Sequence, residues 1–160
     1  MRFETSMFAA MFFLAAQFAH AEIVVRDDAG LTVRLTAPAR RIVSLAPHVT
    51  EDLYAAGAGA YLVGAVDYSD YPAAAQQLPR VGGYSRLDLE AILALKPDLV
   101  IAWESGNPAA HLARLKTLGV PLFISQPAKL YDIATSLERF GALAGTGAIA
   151  ADAARAFRAR

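Results

Sequence analysis

Apolar residues in this chain come in two kinds of block. Short continuous runs at 42–46, 62–66, 98–103 and 121–125 read as strands buried on both faces. Between them apolar residues recur every three or four positions, the spacing of a helix with one face inward. Leu53, Tyr54 and Ala56 mark a first helix, which Gly57 stops. Leu89, Ile92 and Leu93 mark a second over 87–95, ended by Pro97. Leu112, Leu115 and Leu118 mark a third, opened by Asn107-Pro108 and stopped by Gly119. Ile133, Leu137 and Phe140 place a fourth over 130–144, which Gly145-Thr146-Gly147 breaks. Ile149, Ala153, Ala156 and Phe157 share one side of a fifth over 148–160. Strand and helix in series predict an α/β fold, with a mostly parallel sheet and helices on both faces.

The joints refine this picture. Two β-prone runs, 23–26 and 31–35, flank Asp27-Asp28-Ala29-Gly30 and predict an N-terminal β-hairpin. Arg40-Arg41 ends the connector before the first buried strand; it suits either a phosphate or plain solvent. Thr50 is placed to cap the first helix, with Glu51 and Asp52 in its first turn. A small helix is expected at 73–77. Residues 81–85 read as a glycine-containing loop, and no Walker or dinucleotide spacing surrounds Gly82-Gly83.

Composition then removes whole classes of function. The chain has 160 residues, enough for one domain. Fifteen Lys and Arg balance fifteen Asp and Glu, so no net field favours nucleic acid. The absence of cysteine excludes disulfides, thiolate nucleophiles, zinc-thiolate sites and a lipid-carrying N-terminal cysteine. Arg2, the apolar stretch 7–18 and Ala19-His20-Ala21 form the pattern of a cleaved secretory signal over 1–21, with Glu22 as first mature residue. The mature chain then keeps two histidines, His48 and His111, which are not spaced to share a metal. His111 reads as an exposed helix residue. No G-x-S-x-G occurs, and no recognisable Ser, His and acid set.

What chemistry remains gathers at strand ends. The first buried strand runs into Pro47-His48 and the second into Asp67-Tyr68-Ser69-Asp70-Tyr71-Pro72. Tyr84 follows in the next loop, and the third strand ends at Trp103, the single tryptophan. In parallel sheets ligands bind outside the carboxyl ends of the strands. Aromatic rings with one polar tip suit a large planar or amphipathic ligand. Each residue also has an ordinary reading: His48 as a helix-start residue bonded to backbone, the tyrosines as packing around a turn, Trp103 as half-buried beneath the next helix.

Several segments together carry a resemblance. They are 41–51 (RIVSLAPHVTE), 66–72 (VDYSDYP), 89–103 (LEAILALKPDLVIAW) and 106–108 (GNP). The chain resembles the periplasmic binding proteins for haem, siderophores and vitamin B12, and the 66–72 loop points to the cobalamin branch. The resemblance implies a class III periplasmic binding protein fold: two α/β lobes joined by one long helix, with the ligand between them. It implies an N-terminal lobe over 22–145 and the truncated start of the interlobe helix over 146–160. Ligand contacts would be Tyr68, Tyr84 and Trp103, with His48, Asp67 and Ser69 beside them. Glu90 would dock onto the permease dimer of an ABC importer in the inner membrane. The resemblance implies a non-enzymatic transport protein of the periplasm with no cofactor and no protein-bound metal, cobalamin being cargo. Two rivals stand beside this expectation. One is a haem or ferric-siderophore carrier of the same superfamily, with a Tyr or His48 on the iron. The other is an α/β enzyme with no recognisable catalytic motif.

Overall fold

A computed structural model describes residues 22–83 and 85–160. The hairpin of β1 (Ile23–Arg26) and β2 (Thr32–Leu35) is antiparallel, as its turn predicts. Gly30 supplies a left-handed φ of 78° there. The buried Asp27 accepts from Leu31 N at 2.7 Å and from Ile124 N at 3.2 Å. One carboxylate therefore closes the hairpin turn and ties it to the sheet.

That sheet has four parallel strands: β3 (Ile42–Ser44), β4 (Leu62–Ala65), β7 (Leu99–Trp103) and β8 (Leu122–Ser125), ordered β4-β3-β7-β8. Their side chains alternate between two cores, which explains the unbroken apolar runs. Ile42, Leu99, Ile101 and Phe123 face one core. Helices α1 (Pro47–Ala55), α4 (Leu130–Ala144) and α5 (Gly147–Arg158) cover it. Val43, Val100, Ala102 and Ile124 face the other, under α2 (Leu89–Ala94) and α3 (Ala109–Thr117).

Several expectations need correction. Thr50 does not cap α1. The helix starts at Pro47, where the ring's missing N–H costs nothing, and Thr50 is buried within the first turn. Residues 81–85 are not simply a loop: β5 (Gly82–Gly83) pairs antiparallel with β6 (Arg86–Leu87). A Cβ on Gly82 would lie 2.5 Å from Arg86 O, so glycine is what lets these backbones meet. Leu87 thus belongs to a strand. Asp88 caps α2 by accepting from Ala91 N at 2.9 Å. On α2 and α3 only Ile92 and Leu115 are buried, while Leu93 and Leu118 are exposed. Neither Arg40 nor Arg41 holds a phosphate-like pocket open. Arg40 Nη1 donates to Ala144 O at 2.9 Å and Arg41 Nη2 to Leu95 O at 2.6 Å, each at a helix carboxyl end.

The inward face of α5 also differs. Ala150 and Ala154 are buried, Phe157 is half-buried, and Ile149 and Ala156 are exposed. The cause is Gly141 on α4: a Cβ there would stand 2.2 Å from Ala150 Cβ. The two helices cross where both side chains are smallest, and that contact sets the rotation of α5.

Candidate ligand-binding site

The strand order places a switch point between β3 and β7. From β3 the chain leaves one way to β4, then returns past β3 to β7. Open α/β sheets bind ligands at such a crevice. His48 follows β3 and Trp103 ends β7. Their rings meet edge to face, 5.3 Å between centroids at 85°. With Glu51, Asp52, Ile133 and Phe157 they line a cleft of about 430 Å³.

Two local features fix Trp103. Asn107 is buried, accepts from Trp103 N at 2.7 Å and donates to Leu45 O at 2.9 Å, so it clamps the ends of β7 and β3 together. Gly106 lets the indole lie against the backbone, since a Cβ there would fall 1.9 Å from Trp103 Cε3. The sequence offers Gly106-Asn107 as a turn signal but not this clamp, which joins residues 62 positions apart.

Burial pulls two cleft groups in opposite directions. Asp52 is pushed up to about 7, first by desolvation and then by the neighbouring Glu51 charge. His48 is lowered by desolvation. Its Nε2 is buried with no hydrogen-bond partner. His111 is half-buried rather than exposed, with Nδ1 in the same condition.

The 66–72 loop forms the second part of the site. Ser69 N donates to Val66 O at 3.3 Å, closing a turn with Tyr68 at φ 64°. That third turn position favours Gly or Asn. A tyrosine held there carries a backbone cost of about 1–2 kcal/mol. Its ring is also out in solvent: Tyr68 is 76% exposed and Tyr71 69%. Strained backbone and an exposed aromatic coincide, as they do at ligand contacts. Asp67 is half-buried, with its N bonded to Gly82 O at 2.9 Å. Ser69 faces the other way. It is buried, and its Oγ is hydrogen-bonded to Thr50 Oγ1 at 3.1 Å, which in turn bonds Ser44 Oγ at 2.9 Å. This hydroxyl cluster anchors the loop to β3 and α1 from beneath.

The fold therefore joins His48 and Trp103 in one cleft and sets Asp67 and Tyr68 along the same sheet edge. The end of β4 that leads to them stands one strand spacing from β3, which leads to His48, and two, about 10 Å at the level of the sheet, from β7, which ends at Trp103. Tyr84 and residues 1–21, where an export signal is expected, lie outside the described residues. Glu90 is exposed in the first turn of α2. Among the described residues no His, Cys, Asp and Glu cluster could hold a metal ion. No described helix is long and apolar enough to cross a membrane.

Comparison with known proteins fits this geometry. The vitamin B12-binding protein of Vibrio parahaemolyticus is 46% identical over 121 residues, 76% of this chain and 44% of the relative. The crystal structure of the Vibrio cholerae periplasmic vitamin B12 binding protein matches with a TM-score of 0.74 at 46% identity, over 76% of this chain and 48% of that one. A periplasmic haem-binding protein from Roseiflexus matches with a TM-score of 0.68 at 34% identity, over 75% of this chain and 46% of that one. The chain spans about half the length of the curated relatives it matches. The family model for periplasmic binding proteins covers residues 42–159, and the chain belongs to that family.

Proposed function

We propose that the chain forms one wall of the cleft of a periplasmic carrier that binds cobalamin and hands it to an ABC importer. The observation that carries this reading is the 46% identity to a vitamin B12-binding protein over three quarters of the chain. The sheet edge supplies a surface of the right kind, with exposed Tyr68, half-buried Trp103 and His48 against it. Aromatic faces would cover the flat ligand, and its rim would meet the polar groups. Tyr84 joins this set from its place in the sequence, with Asp67 beside Tyr68. Ser69 contributes by holding the loop. Residues 1–21 act as a cleaved export signal, 22–145 as the ligand-binding lobe and 146–160 as the start of the interlobe helix. Exposed Glu90 docks on the permease dimer. The protein carries its ligand without transforming it.

Haem is the second reading, supported by the likeness to the Roseiflexus haem-binding protein. His48 suits that role poorly, because Nε2 is buried against its surroundings. The exposed Tyr68 phenol is the better iron ligand. Titration with cyanocobalamin and with haemin separates the two. Saturable quenching of Trp103 by cyanocobalamin, weakened in Tyr68→Ala, is expected. A Soret shift with haemin, lost in Tyr68→Phe or His48→Ala and without any cyanocobalamin response, would replace the proposal.

A further inference from the structure

Arg80 stands outside every motif so far described, yet its guanidinium spans the strained turn of the candidate site. Nη1 donates to Val66 O at 3.1 Å and to Ser69 O at 3.2 Å. Nη2 donates to Ser69 O at 3.2 Å and meets Asp70 Oδ1 at 3.3 Å. Val66 and Ser69 are the first and last residues of the turn that holds Tyr68 at positive φ. A planar fork bonded to both carbonyls fixes their separation, which a single ammonium cannot do. The turn's own closing bond, 3.3 Å from Ser69 N to Val66 O, is long by comparison. A left-handed tyrosine persists only where its surroundings impose it. From below, Thr50 holds Ser69; from the side, Arg80 holds both ends; Gln76 Nε2 adds a bond to Asp70 O at 3.1 Å.

We propose that Arg80 is the positioning residue that presets Tyr68 in its outward, ligand-ready conformation. It touches no ligand and acts through the turn. This rests on Tyr68 being a ligand contact. Without Arg80 the turn relaxes toward ordinary backbone, and only a fraction of molecules present the ring. Apparent affinity falls by that fraction. A tenth of molecules competent would mean about a tenfold loss. The Arg80 side chain is 29% exposed and belongs to neither hydrophobic core.

The first test needs no ligand. With 3-fluorotyrosine incorporated and the Tyr68 resonance assigned by Tyr68→Phe, 19F NMR reads the order of the ring directly. In Arg80→Met that resonance is expected to broaden or move to the position of an unfolded chain, with Arg80→Lys in between. A Tyr68 line unchanged in Arg80→Met overturns the proposal, whatever the ligand. The second test is a cycle of cyanocobalamin affinities. Arg80→Met should weaken binding about tenfold in the parent and leave Tyr68→Ala unaffected. An equal loss in both backgrounds also overturns it, since Arg80 would then act on affinity by another route. Thermal melting by circular dichroism confirms folding; if Arg80→Met does not fold, Arg80→Gln takes its place with the same expectations. Absence of cyanocobalamin binding in the parent would refute the cobalamin reading alone and leave the fluorine result to decide the role of Arg80.

Discussion

Asp52 makes the fold pay for its cleft at neutral pH, and Asp52→Asn should remove that cost. The carboxyl ordinarily titrates at 3.8 and is pushed up to about 7 in the folded chain. At 1.36 kcal/mol for each tenfold change, the difference is about 4 kcal/mol. The sign follows from which state binds the proton more tightly. Folded-state affinity is higher, so the native chain is favoured below pH 3.8, and the advantage drains away until pH 7. At pH 5 about 1.6 kcal/mol is gone; by pH 8 all of it is. Water at the half-buried carboxyl screens part of this, leaving an expected gain of about 2–4 kcal/mol for Asp52→Asn at pH 8. His48 works in the opposite window. Lowered by burial, it costs stability as the pH falls below 6.5 through its folded value. Below pH 6.5 the two slopes oppose each other, and above it the Asp52 loss acts alone. Urea unfolding followed by Trp103 fluorescence at pH 5, 6.5 and 8 measures the effect. Asp52→Asn should flatten the fall in stability between pH 5 and 8, leaving only the His48 slope at the acid side. If both proteins lose stability in parallel over that range, Asp52 does not carry a raised pKa and the desolvation argument fails.

Other perturbations test other joints. Gly106→Ala places a Cβ inside the Trp103 ring position, so the indole must leave its seat. Its emission should shift to longer wavelength and cyanocobalamin affinity should fall; an unchanged spectrum would show that the ring does not lean on that backbone. Gly141→Ala forces α4 and α5 apart at their closest contact and should cost about 1–3 kcal/mol in urea unfolding. A loss below about 0.5 kcal/mol would mean the helices slide freely. Glu90→Arg reverses an exposed charge in the first turn of α2 and should abolish uptake supported by the carrier while leaving ligand affinity intact. Lost affinity would assign Glu90 to the cleft instead of the docking face.

Much of the architecture is written in the chain itself. Continuous apolar runs, periodic helices and glycine stops give the parallel sheet with two covered faces, because each signal is local and strong. Leu130–Ala144 runs between the limits its pattern predicts, since Gly145 provides the left-handed end at φ 71°. The aromatic strand ends and the family resemblance are likewise visible before any folding. Tertiary structure decided what depends on distant residues. Thr50 became a buried anchor because Ser44 and Ser69 meet it there. Ala150 rather than Ile149 faces inward because Gly141 admits the closest approach. Trp103 owes its seat to Gly106 and Asn107, and Asp52 its raised pKa to burial beside Glu51. A single chain position specifies its own propensity, but desolvation, close approach and a fork between two carbonyls exist only once separate segments share the same space.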